Sequence, residues 1–281
     1  KDYVAELKEL IKRSPDESQN AALLYSEAAR LWSEDSNDDK FSPINNYYEA
    51  TPEEKILIKK CINHNEKYFE LFVKGTQKPY YWPLYETNEY TEDEGVFSLT
   101  NSYLTPMRHI FISLYWRAIL RVEEGDIMGG LSDIKSCYRV GSQLKTSKSM
   151  LEYLVGTSYD YMINRVLVNI LNTNKIDSNV LADFQSDFEN ILKNENFRMD
   201  FSCQKILVLD ELQRSFTNGS IGNGHLYLPE FLKLLSLDTF MGNPVEPGRV
   251  ELFYHILIKH PNKKATLKAL DKLLNYWDKY A

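Results

Sequence analysis

The chain has 281 residues, 43% hydrophobic and 26% charged, an ordinary globular balance with enough length to bury a substantial core. Its formal charge of -7, from 33 Lys and Arg against 40 Asp and Glu with no clustered basic stripe, argues against nucleic-acid binding, which rests on phosphate neutralisation. No apolar run reaches the roughly 18 residues a membrane helix needs, and Cys61, Cys137 and Cys203 form neither a zinc spacing nor a disulfide framework, so they are read as small buried hydrophobes.

The chain opens at Lys1-Asp2-Tyr3, without Met and already inside a helical pattern, which leads us to expect a further segment upstream. Residues 2–12 form a short amphipathic helix that ends at Ser14-Pro15. Asn20 is placed to cap the next helix, which carries Ala21, Leu24, Tyr25, Ala28, Ala29 and Trp32 at helical spacing. The polar stretch after it alternates Asp35, Asn37 and Asp39 like the start of a calcium loop. Lys40 and Asn46 stand where that loop needs Gly and Glu, so a solvated loop is expected.

Thr51-Pro52-Glu53-Glu54 combines a capping Thr, Pro at the first helical position and acids in the first turn, and starts a helix predicted to end at Gly75. Residues 79–97, PYYWPLYETNEYTEDEGVF, break regularity with prolines, aromatics and carboxylates. A loop of this kind either packs by its own side chains or offers a binding surface, for which Tyr80, Trp82 and Tyr85 are the candidate rings.

Residues 107–171 hold the strongest signal. Met107, Ile110, Phe111, Leu114 and Ala118 share one helical face, and Pro106 suits a helix start. Gly125 tolerates left-handed geometry and Asp126 can cap a second helix with Ile127, Leu131, Ile134, Tyr138 and Gly141 on its inner side. Ala118, Gly130 and Cys137 are small where antiparallel axes approach. Residues 149–171 are apolar on more than one face, which predicts a central helix covered on both sides, with Gly156 and Ser158 allowing close approach.

Asp177-Ser178 opens a helix to about Lys193, and Ile206, Leu209, Leu212 and Phe216 mark another over 201–216. The Gly- and Asn-rich stretch 217–228 reads as a flexible loop whose glycines match no phosphate-binding pattern. A helix near 229–240, a Pro/Gly linker at 242–248, a helix at 249–259 and a final helix after His260-Pro261 complete the chain. The expectation is a single all-α domain over 1–281, an irregular array of antiparallel helical hairpins with about nine to eleven helices and, at most, a short extended piece near 79–85.

Ala118, Gly125-Asp126, Gly130 and Cys137 follow the spacing of a tetratricopeptide repeat, so this one hairpin resembles that unit, departing from it at Arg121 and Ser142, where the repeat carries Tyr and Pro. More widely, NAALLYSEAARLW (20–32), TPEEKILIKKCINHNEKYFELF (51–72), the aromatic segment 79–85, RAILRVEEGDIMGGLSDI (117–134) and LEYLVGTSYDYMI (151–163) resemble, in order, an uncharacterised bacterial family of planctomycete type. That resemblance implies one all-α, tetratricopeptide-like domain, exported or anchored outside the cytoplasm. It supplies no catalytic residues.

Three functional readings remain open. In the first, a non-enzymatic helical-repeat module binds a protein or peptide, with Arg117 and Arg121 on a wall of the stack either holding a peptide carboxylate or forming interhelical salt bridges with Asp133 and Glu152. In the second, the rings of 79–97 bind a glycan or small ligand. In the third, an all-α enzyme has an acid/base site near Glu152, Asp160 and Arg165, which with Tyr153, Tyr159, Tyr161 and Asn164 form a polar and aromatic group, on an otherwise apolar helix, that either lines a pocket or makes structural hydrogen bonds. The five histidines make no metal spacing, no nucleophile motif occurs, and no cofactor is implied.

Overall fold

A computed structural model describes residues 2–35, 47–85, 96, 103–173, 176–193, 202–216 and 263–280. Among them are nine α-helices: α1 (Tyr3–Ile11), α2 (Ala21–Glu34), α3 (Pro52–Thr76), α4 (Leu104–Glu123), α5 (Ile127–Lys145), α6 (Met150–Thr173), α7 (Ser178–Lys193), α8 (Ser202–Ser215) and α9 (Lys263–Tyr280). The fold is all-α. The expected loops at 36–46 and 217–228, most of 86–97, the linker at 242–248 and the helices near 229–240 and 249–259 lie outside the described residues.

The chain groups into two compact units. One comprises Lys8–Glu86 with Leu99–Met199, the other Lys1–Leu7, Thr87–Ser98 and Asp200–Ala281.

In the larger unit the helix ends are set by local chemistry. The Asn20 side chain accepts from the Ala22 amide at 3.0 Å, Thr51 and Glu54 complete a reciprocal capping box, and the Asp126 carboxylate accepts from the Gly129 amide at 2.9 Å. Gly125 adopts φ +94°, the left-handed turn that separates α4 from α5. Helix α4 starts at Leu104, earlier than Pro106 suggested. Pro106 still falls within the first turn, where no amide donor is missed.

From α2 to α5 each helix packs on the one that follows and on the next but one: α2 on α3 and α4, α3 on α4 and α5, α4 on α5 and α6, α5 on α6 and α7. This is the neighbour pattern of stacked hairpins. Small residues set the closest crossings. A Cβ added at Gly130 would lie 2.8 Å from the Ala118 carbonyl, and one at Gly156 2.6 Å from the Gly141 carbonyl. Ser158, expected to share that role, is exposed.

The core of this unit is one contiguous cluster centred on Trp116, Phe111, Phe69, Phe72, Ile110 and Leu144. Each such side chain contributes on the order of 1.5–3 kcal/mol by leaving water. Cys61 and Cys137 are buried in it as thiols rather than disulfides. In the smaller unit, α8 buries Cys203, Ile206 and Leu207, and its buried Asp210 accepts from the Val96 amide at 2.9 Å and from Arg214 at 3.1 Å.

Helix α6 departs from expectation. Its buried residues, Glu152, Gly156, Tyr159, Ile163, Val166 and Ile170, form a single stripe. The opposite face is uncovered: Leu154 is 51% exposed, Tyr161 71% and Val168 57%. Apolar character on two faces correctly marked two surfaces, but only one of them is filled.

Candidate functional site

Among the described residues of the larger unit, the extended piece around Tyr80 is held by Asn20. Its carboxamide accepts from the Trp82 amide at 3.0 Å and donates to the Trp82 carbonyl at 2.8 Å, and the Ala21 amide donates to the Tyr80 carbonyl at 2.8 Å. The segment is thereby fixed as a single bridge rather than a strand. Tyr81 and Tyr85 are buried while Tyr80 remains 43% exposed. Trp82 is also buried. Of the three rings singled out in the sequence, only Tyr80 therefore offers a face to solvent.

Tyr81 and Tyr85 meet Glu152. Their hydroxyls donate to the two carboxylate oxygens at 2.8 Å and 3.2 Å, and the Tyr81 and Tyr103 hydroxyls lie 3.2 Å apart. Glu152 is fully buried, and burial pushes its carboxyl up to about 8, partly offset by the two tyrosine hydrogen bonds. Burial likewise raises the Tyr81 phenol well above its usual range. Tyr85 has φ +40°, a backbone strain that a bulky side chain tolerates only where its surroundings fix it. Tyr81 and Tyr103 escaped the sequence reading. No period-two pattern marks them, because Tyr81, Trp82 and Pro83 are all buried.

The arginine pair is engaged within the array. Arg117 grips Asp133 in a bidentate pair at 2.7 Å and 2.9 Å while its guanidinium lies 4.4 Å from the Phe69 ring centre, and Arg121 reaches the same carboxylate at 3.0 Å. Asp133 is 3% exposed, so two cations neutralise one buried acid. Glu152 takes no part in this cluster. The expectation that both acids serve the arginines is thus correct for Asp133 and corrected for Glu152.

The polar residues proposed on α6 diverge. Tyr159 stacks on Phe111 with ring centres 3.5 Å apart, and its buried hydroxyl has no hydrogen-bond partner among the described residues. Asp160 is paired with Lys145 on α5. Arg165 lies on the exposed side, 3.7 Å from Glu49. Glu152, Asp160 and Arg165 therefore do not converge on one point.

Asp35 accepts from Lys67 at 2.5 Å and from Tyr68 at 2.8 Å, which ties it to α3. Among the described residues no cluster of three or more His, Cys, Asp or Glu is arranged to hold a metal, and no helix is long and apolar enough to cross a membrane.

Among the described residues, the outer face of α6 presents a row of exposed apolar side chains. Leu154, Tyr161 and Val168 recur every seven residues, flanked by Leu151 and Leu171, also exposed. Among the exposed residues between them, Thr157, Ser158, Asn164 and Arg165, there is no carboxylate. No family model, no curated protein and no solved structure matches this chain.

Proposed function

We propose that the larger unit is a tetratricopeptide-like interaction module that binds a protein partner through the outer face of α6. The observation carrying this reading is the exposed row of Leu154, Tyr161 and Val168. In a stack of hairpins each outer face is normally covered by the next hairpin, and terminal repeats present a polar surface. Here three large apolar side chains recur along an exposed face, interleaved with polar ones, as at an interaction site. Arg117 and Arg121, by contrast, are committed to Asp133 and leave that wall without a free cation pair for a peptide carboxylate.

Site-specific photo-crosslinking tests this. With a photoreactive residue at 154, 161 or 168, one discrete protein adduct recurs at all three positions in cells or cell extract. A probe at Lys59 or Glu70, on the charged surface of α3, does not give it. Equal labelling from the α3 positions would remove the proposal.

A further inference from the structure

The outer face of α6 carries a pattern that says what covers it. A two-fold axis passing beside Tyr161 and perpendicular to the helix sets Leu154 against Val168 of a second copy and the two Tyr161 rings against each other along the centre of the seam. The flanking polar positions meet one another, with Ser158 facing Arg165 on one edge and Thr157 facing Asn164 on the other. Such reversal is what an isologous interface demands, because one patch must complement itself when turned around.

Charge agrees. In a chain of net charge -7, the exposed positions from Leu151 to Leu171 include no carboxylate on this face, so two copies meet there without acid repulsion. The single cation, Arg165, meets a serine rather than its own copy. The seven-residue recurrence supplies one of the two positions per heptad along which helices pack at a shallow angle, with Ser158 and Arg165 at the other.

We infer that the chain forms a two-fold homodimer in which α6 pairs antiparallel with α6 of a second copy, centred on Tyr161. This inference rests on the reading of the α6 face as an interaction surface and names its occupant.

Sedimentation equilibrium of the full chain tests it, using wild type, Leu154→Lys, Leu154→Lys with Val168→Lys, and Leu154→Lys with Val168→Glu. Wild type is expected to approach twice the 32.8 kDa chain mass. Leu154→Lys raises the dimer dissociation constant at least about tenfold. The Lys/Glu combination restores it to within about threefold, because each lysine then faces a glutamate of the other copy, whereas Lys/Lys does not. All variants should keep the wild-type circular dichroism and, at concentrations low enough for every chain to be monomeric, the wild-type melting temperature, since these positions are exposed in a single copy. A monomeric wild type, a dimer indifferent to the substitutions, or a Lys/Glu variant no better than Lys/Lys would overturn the inference. Were the wild type monomeric while the probes at 154, 161 and 168 still captured a different protein, the second copy would be ruled out and the interaction surface would stand. Loss of both results would remove both.

Discussion

Glu152 stands three residues after Ser149, the spacing of a reciprocal capping box in which the acid would turn back to the helix start. Its side chain instead goes inward to Tyr81 and Tyr85, leaving the Ser149 hydroxyl buried without a partner among the described residues. The consequence is a buried acid whose protonated form the fold favours. Folding raises its pKa from 4.5 to about 8, so its contribution to stability is fully present below about pH 4.5 and is lost as pH rises through about 8. Across that window the loss is roughly 1.4 kcal/mol per pH unit. Glu152→Gln should remove this slope, leaving the variant less pH-sensitive and relatively more stable at pH 9. Urea melts of both proteins at pH 5, 7 and 9 provide the check, and parallel pH profiles would show that Glu152 is not the titrating group.

Among the elements, the crossing of α5 and α6 depends on two glycines. Gly141 and Gly156 face each other across it, and a Cβ at Gly156 would meet the Gly141 carbonyl at 2.6 Å and the Lys145 side chain at 2.9 Å. The first of these is backbone and cannot swing aside. Gly156→Ala gains about 1 kcal/mol in helix propensity but forces the two axes apart, an overpacking cost of about 1–3 kcal/mol or more. The expected net effect is destabilisation by about 1–2 kcal/mol, read as a lower denaturation midpoint with unchanged slope. A stabilised variant would mean that the helices separate at no cost. Gly156 was legible in the sequence as a site of close approach, whereas the exposed Ser158 shows that smallness by itself does not say which neighbour arrives.

For the molecule as a whole, α5 is the central element of the larger unit, touching α3, α4, α6 and α7, while α6 is covered on one side. The same chemical deletion should therefore have unequal effects. Leu144→Ala, at a fully buried position, is expected to cost about 2–5 kcal/mol through lost burial and a residual cavity. Leu154→Ala, on the exposed face, should fall within about 0.5 kcal/mol in the isolated chain. Thermal melts at low protein concentration compare them, and equal losses would contradict the assignment of the α6 outer face as free within one copy.

The sequence by itself determined what depends on neighbours a few residues apart. The caps at Asn20, Thr51 and Asp126, the left-handed turn at Gly125, the helical faces and hence the all-α class follow from local geometry and periodicity. The close-approach sites at Ala118 and Gly130 follow as well, because a short turn forces consecutive helices together. Only the tertiary structure decided which of two apolar faces of α6 is filled, because a hydrophobic side chain records that it favours burial and not what will bury it. The same holds for Asp133, claimed by both arginines, and for Glu152, held by Tyr81 and Tyr85 some seventy residues away. Partner choice among distant polar groups is fixed by packing geometry, which no local pattern encodes.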